Sequence, residues 1–440
     1  MTLALAARII NSMPPQNLRQ RLGAAIDALR VIDIHTHLRW QQPSAQNLVD
    51  ILGYHYITTE LESAGWSYAK FRAAKSPEAK LATMVPFFPR IANTATWWCF
   101  MQMARDLFGF EDDTVTTKTW KKLYSQANAK LRQRGWWQHV LRDRIQTDAS
   151  FMTNEYGEDY RGYDKKFFIP SLRIDPLING IADPVNLGRI EKSCDIELTS
   201  LGTLRKAITK IFATHKARGA KQISFSLPPD FTFAWADARD AERVFSTVLK
   251  GARVTDAEFI TLRSYVFQQY IEQARLHRLP MFLLIGVYRN VYRNAATSFP
   301  KDLLGFEPRM VRAFDDLFNA YPDVKFEFML LNRVLTHELT AYAKVFPNVY
   351  FSGHWWYTFY PSYIQQALAE RIEMLPVNKT NGFFSDAYYV EWGYAKVRMI
   401  KKQLTTVLAQ KVEDGYFSED HALFVARRLL HDNAVEHYGL

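Results

Sequence analysis

From residue 143 onward, short apolar runs of strand length alternate with longer segments of helical period, and this alternation constrains the fold more than any other feature. Residues 143–147, 166–173, 222–227, 281–288, 324–330, 349–353 and 382–386 read as strands. Residues 200–218, 255–277, 308–320, 335–346, 361–373, 391–411 and 418–438 read as helices. Local signals agree: Gly219 stands where a C-terminal glycine belongs, and Thr255 with Glu258 forms a capping box. With the apolar stretch at 31–38, eight strands are expected. Strands separated by helices predict a parallel sheet, and eight such units predict a closed (β/α)8 barrel.

The first strand, Val31-Ile32-Asp33-Ile34-His35-Thr36-His37-Leu38, carries two histidines at its C-terminal end. Side chains at i and i+2 of a strand share a face, with Cα atoms roughly 6.5 Å apart. Two imidazoles so placed can each reach one cation at about 2.1 Å. The alternative is a pair of polar residues at a strand end, one of them hydrogen-bonded in the core.

Between residues 40 and 141 no strand is evident. Helical patterns at 48–63, 78–87, 97–108 and 117–134 are dense in aromatics such as Trp97, Trp98, Trp120 and Trp136. Aromatics at helical spacing are read as core. The expected organisation is one barrel domain over 1–440 with a helical insertion at 40–141. A further helix at 15–29, with Leu18, Leu22, Ile26 and Leu29 on one stripe, leads into the first strand.

Composition excludes some classes. Of 440 residues, 48% are hydrophobic and 23% charged, so a large core is available and extended disorder is not expected. The formal net charge is +10, but the basic residues are scattered rather than clustered, which argues against a nucleic-acid partner. No apolar run approaches the roughly 20 residues of a spanning helix, so no membrane partner is expected. The apolar run from Leu3 to Ile10 is interrupted by Arg8 and lacks a cleavage site. The two cysteines, Cys99 and Cys194, suit a reducing cytosol. A cytoplasmic protein is expected, and the aromatic insertion offers a surface for a homo-oligomer.

In a (β/α)8 barrel the site lies at the C-terminal ends of the strands. That mouth would collect His35 and His37, then Asp148, Arg173, Ser226, Arg289, Asn332, Arg333, His354, Trp355, Trp356 and, from the last strand, Asp386. The last strand adjoins the first, so His35, His37 and Asp386 could share one divalent cation and leave a coordination position open. Asp386 could equally serve as a base, or simply cap the helix that follows. His354 could be a further ligand, an acid/base or a packed core residue. Trp355 and Trp356 offer a stacking face or core. Arg173 and Arg289 could clamp a carboxylate or form salt bridges at the mouth.

Taken in order, these stretches resemble the uronate isomerase family of the amidohydrolase superfamily of metal-dependent barrels. Asp33-Ile34-His35-Thr36-His37-Leu38 is similar to the family's first-strand metal motif, and Gly53-Tyr54-His55-Tyr56 to its Gly-Asp-His-Tyr segment. Ser171-Leu172-Arg173-Ile174-Asp175 resembles its Phe-Arg-Pro-Asp segment, and Ile285-Gly286-Val287-Tyr288-Arg289-Asn290 its Ile-Gly-Ala-Leu-Arg-Asn. Ser352-Gly353-His354-Trp355-Trp356 is similar to Gly-Ser-Ala-Trp-Trp, and Ser385-Asp386 to the last-strand Thr-Asp. The resemblance implies aldose–ketose isomerisation of a hexuronate, such as glucuronate or galacturonate, through a cis-enediol.

By position, the resemblance implies His35, His37 and Asp386 as metal ligands and Asp386, Tyr56 and His55 as the catalytic group. Arg173 and Arg289 would take the substrate carboxylate, with Trp355, Trp356 and His354 completing the substrate site. One divalent metal ion is implied, zinc first, with manganese or another ion as alternatives. The partner is then a small anionic sugar acid. The chain departs from the family at Leu284, where a fifth-strand histidine is expected, and at Tyr388, where an arginine is expected. An acidic residue near the fourth strand is replaced within Ser224-Phe225-Ser226. His354 could stand in for the missing histidine. These departures keep two other readings open: a metal-dependent hydrolase or decarboxylase of a small anionic substrate, and a non-catalytic paralogue.

Overall fold

A computed structural model describes residues 17–292, 301–305, 307, 310–329 and 331–440. Seven parallel strands form one curled sheet: β1 (Val31–Thr36), β2 (Thr147–Glu155), β3 (Phe168–Arg173), β4 (Gln222–Leu227), β5 (Met281–Ile285), β8 (Phe326–Met329) and β9 (Val349–Ser352). They lie side by side in the order β1-β2-β3-β4-β5-β8-β9. Every neighbouring pair is parallel. Such pairing needs crossover connections; helices supply them except between β2 and β3, which residues 156–167 join without one. The remaining strands, β6 (Val287–Tyr292) and β7 (Lys301–Leu304), form a separate antiparallel hairpin.

The expected eighth strand is replaced by an extended segment without ladder pairing, which nonetheless closes the barrel. On one side Gly353 N donates to Asn381 O at 2.8 Å; on the other Asp386 N donates to His35 O and His37 N to Ala387 O, each at 2.9 Å. Three local features prevent a regular ladder. Gly382 N is taken by Leu429 O, Ser385 N donates to the Asp33 carboxylate rather than to backbone, and Asp386 turns to φ 51°. The fold is a (β/α)8 barrel whose last staves are joined partly through side chains.

The second strand also differs from expectation. Residues 140–145 continue a helix, and β2 begins at Thr147 where the expected strand ended. Asp148 therefore lies at the bottom of the barrel, bound to Arg30 at 2.6 Å and His431 at 2.9 Å, far from the mouth. The expected fifth strand stops at Ile285, and the chain turns at Gly286 (φ 96°) into the hairpin.

Between β1 and β2 every regular element of the described chain is a helix. The pattern at 48–63 breaks into two helices, Leu48–Leu52 and His55–Ser63. Gly53 permits the break: a Cβ there would stand 2.8 Å from Val49 O. The Val390–Glu413 helix packs against both Leu18–Asp27 and Ala95–Phe108. Trp392, 1% exposed, ties the start of that helix to the two short helices after Asn47: it stacks on Tyr54 with centroids 4.7 Å apart and donates from Nε1 to Ile51 O at 3.1 Å.

The final helix, Asn433–Tyr438, plugs the barrel floor. Lys221 and Lys325, at the feet of β4 and β8, donate to the carbonyls of Gly439 and His437, each at 2.8 Å. Cations at a helix C-terminus satisfy its orphan carbonyls and its dipole. Tyr438 reaches inward to the fully buried Glu327, which also accepts from Asn381 at 2.7 Å.

Candidate metal centre and active site

A cavity of about 250 Å³ opens at the C-terminal ends of the strands. His35, His37 and Asp386 stand at its floor. His35 Nε2 lies 3.4 Å and His37 Nε2 3.2 Å from Asp386 Oδ1. The three side chains offer ligand atoms that all lie within 4.8 Å of one another, close enough to hold one ion. His35 also has a buried Nδ1 with no hydrogen-bond partner among the described residues. Two imidazoles and a carboxylate converging at this spacing suit a divalent cation with an open position, so the residues present fit one metal ion. Asp386 does not cap the following helix, which starts at Val390 without a side-chain cap.

Asp386 is gripped from the insertion. Tyr54 Oη donates to its backbone carbonyl and Tyr56 Oη to its Oδ2, each at 3.0 Å. The break at Gly53 turns these two tyrosines toward the barrel. Burial by itself would raise the Asp386 carboxyl. Hydrogen bonds from His35 and His37, with the charges of His37 and Lys396, more than reverse this and hold it well below the usual carboxylate range. Burial lowers the pKa of His35, favouring the neutral imidazole a metal requires.

Beneath this group lies Lys396, 3% exposed, whose ammonium donates to Tyr56 Oη at 3.2 Å and to Ser385 O. It sits 4.5 Å from the Tyr56 ring centroid, with Tyr54 and Phe359 also close. Burial lowers its pKa to about 8, against the opposing effects of Asp386, Cys99 and Asp33. Nothing in its sequence context marks it: a lysine inside a helix reads as a solvated position, and only the fold turns it inward.

The upper walls carry the other expected residues. Arg173 and Arg289 both line the cavity, but each already holds a carboxylate: Arg173 pairs with Asp175, and Arg289 Nη1 with Asp302 Oδ2 at 2.5 Å. Arg289 Nη2 also donates to Ser226 Oγ at 3.0 Å. It arrives on the hairpin rather than at the end of β5. Trp355, Trp356 and His55 line the cavity as well. Trp356 stacks on Tyr56, with centroids 4.5 Å apart and planes at 8°, and meets His55 edge-on at 5.2 Å.

Other expected residues fall outside. His354 is 3% exposed and does not border the cavity; both its ring nitrogens lack hydrogen-bond partners among the described residues, and burial together with nearby Arg371 lowers its pKa well below the ordinary value. It does not join the His35–His37–Asp386 cluster. Asn332 turns away to Gly305 O, and Arg333 lies over the Tyr363 ring. Leu284 faces the cavity. Tyr388 does too, and it stacks on His37 with centroids 4.7 Å apart. Burial, then the charge of Asp386, pushes the Tyr388 hydroxyl up to about 12. Thr153, Asp175, Ser224 and Asp302 complete the polar lining, and spacing along the chain does not reveal them. His37, Thr153, Arg173 and Tyr388 also border a second cleft of about 660 Å³ that runs past Arg39 and Trp40.

This is the architecture of a (β/α)8 barrel with a candidate metal site at its mouth. Residues 22–438 match the glucuronate isomerase family model, and the chain belongs to that family. It is 24% identical to a uronate isomerase of Salmonella arizonae, over 93% of both chains. It is 19% identical to one of Thermotoga maritima, over 94% of this chain and 95% of the relative. Among solved structures it is similar to the Thermotoga maritima uronate isomerase (TM-score 0.88, 16% identity, 96% of this chain and 98% of that one). It is also similar to a glucuronate isomerase of Caulobacter crescentus (TM-score 0.85, 17% identity, 97% and 95%). Among the described residues no helix is long and apolar enough to cross a membrane.

Proposed function

We propose that this protein is a metal-dependent aldose–ketose isomerase of a hexuronate or related sugar acid. The observation that carries the reading is the convergence of His35, His37 and Asp386 in a chain of the glucuronate isomerase family. These three side chains would hold one divalent ion, zinc first, which would supply Lewis-acid polarisation of the sugar oxygens.

The remaining roles follow from the cavity. Arg173 and Arg289 receive the substrate carboxylate, with Asp175 and Asp302 keeping both guanidinium groups oriented. Trp355 and Trp356 present apolar faces to the sugar ring, and His55 meets its hydroxyls. Asp386, ionised at neutral pH, takes the proton from the carbon beside the aldehyde. The same proton returns to the neighbouring carbon of the cis-enediol while the hydroxyl proton passes from O2, on the carbon beside the aldehyde, to O1, giving the ketose. Tyr56 holds the carboxylate in place throughout.

The direct test is proton NMR of glucuronate and galacturonate incubated with the metal-loaded protein in D₂O. Ketose formation, with deuterium at the carbon next to the carbonyl where solvent exchange competes with return, is the expected result. Inertness toward every uronate, combined with product release from esters, lactones or amides, would replace the isomerase with a hydrolase. Leu284 and Tyr388 in the cavity wall make that comparison worth running.

A further inference from the structure

Behind the barrel wall, on the side of β9 away from the mouth, the Arg371 side chain is 1% exposed. Its Nη2 donates to Gly353 O at 2.9 Å, and its guanidinium carbon lies 4.7 Å from the Phe351 ring centroid. Nε and Nη1 are buried and have no hydrogen-bond partner among the described residues; the same holds for the buried Oγ1 of Thr380. Arg371 and Thr380 both line a cavity of about 190 Å³. Its other walls include Leu375, Val377 and Leu429, and Tyr416, 55% exposed, stands at its edge. The cavity can thus be reached from solvent.

A guanidinium stays protonated in proteins and cannot shed its charge to escape burial. Burial lowers its pKa only to about 10, despite Glu370 beside it in the chain. Left alone, such a charge is one of the costlier features a core can hold. Water satisfies it poorly here, because an ordered water needs two to four polar partners and most of the lining is aliphatic or aromatic. Tyr416 and His421 also border the cavity, but seven of its lining residues are aliphatic or phenylalanine, so a buried cation and a buried hydroxyl in mostly apolar walls complement a small ligand with an anionic head.

We propose that this cavity is a binding site for a small monoanion, either an organic carboxylate with an apolar body or a halide, held by Arg371 and Thr380. It is separate from the metal centre and does not depend on the reaction proposed above. Its ligand would also seat the turn at Gly353 (φ 61°), which leads into Trp355 and Trp356. That turn has little slack, since a Cβ on Gly353 would collide with the Phe384 ring at 2.0 Å.

Crystals of the full chain soaked separately in sodium p-bromobenzoate and in sodium bromide, with data collected at the bromine edge, test this directly. The expected result is an anomalous peak in the cavity in at least one soak, with the anion at hydrogen-bond distance from Arg371. A peak with p-bromobenzoate alone assigns an organic carboxylate, and a peak with bromide alone a halide. Ordered water or empty space in both soaks overturns the site. In solution, the melting temperature of the wild type should rise with the anion that binds in the crystal. The rise should be smaller for Thr380→Val and absent for Arg371→Met. Equal rises in wild type and Thr380→Val overturn the proposal even if Arg371→Met does not fold.

Discussion

Tyr56 donates its hydroxyl hydrogen bond to Asp386 Oδ2 at 3.0 Å, tying the helical insertion to the segment that closes the barrel. The insertion is therefore part of the site's construction and not an appendage to it. Hydrogen bonds to ionised groups are worth about 1.5–3 kcal/mol, or roughly 10- to 100-fold in rate. Tyr56→Phe should lower kcat for uronate isomerisation by that factor while leaving the metal content of the purified protein unchanged. Steady-state kinetics with metal analysis on the same sample check both parts, and an unchanged kcat would remove Tyr56 from the reaction.

Lys396 supports the same pair from below through Tyr56 Oη and Ser385 O. Lys396→Met keeps the apolar stem but removes the donor, and kcat should fall about tenfold or more. Circular dichroism should stay native and KM should change less than kcat. Lys396→Arg should not rescue, because a guanidinium is too broad for the space between Tyr54, Tyr56 and Phe359. A wild-type kcat in Lys396→Met would reduce this lysine to a packing role.

His35→Ala combined with His37→Ala removes two of the three ligands. The purified variant should lose its equivalent of zinc or other divalent ion by elemental analysis, and activity should not return on adding metal. Metal retained at the wild-type level would place the ion elsewhere.

Glu391 is fully buried and accepts from Trp136 Nε1 at 2.8 Å and Ala45 N at 3.2 Å, binding the insertion to the last long helix. Burial pushes its carboxyl up to about 7, against those hydrogen bonds. The folded chain thus holds this proton at pH values where the unfolded chain, with a pKa near 4.3, has released it. Stability should fall as pH rises between these two values, by about 4 kcal/mol for this group. Glu391→Gln should remove that share of the slope in urea titrations at pH 5 and pH 8. Asp33, raised to about 7 chiefly by burial, would keep its own. An identical slope in the variant would mean that Glu391 is ionised in the fold.

Much of the architecture is written locally. The capping box at Thr255 and Glu258 starts the Asp256–His277 helix as its residues predict, and β4 spans the six residues that its apolar run defines. Such signals depend on neighbours a few positions apart, so the chain alone carries them. Period and order were sufficient for a barrel, and His35 and His37 need only strand geometry to share a face. Asp386 is legible as their partner because a closed barrel sets its last stave beside its first.

What the local pattern cannot hold is anything decided by distant chain meeting in three dimensions. Residues 382–386 have strand composition, yet Leu429 and the Asp33 carboxylate take the donors a ladder would use. Asp148 follows a stretch read as a strand but belongs to the floor, because the preceding helix runs on to Ile145. His354 and Lys396 exchange the roles their contexts suggest: the histidine beside two tryptophans is buried away from the cavity, and the lysine within a helix lies under the metal centre. The barrel, the histidine pair and the carboxylate opposite them follow from periodicity and strand order along the chain. Only the tertiary structure decided which side chains surround that trio, because burial and hydrogen-bond competition between remote segments, not spacing along the chain, choose them.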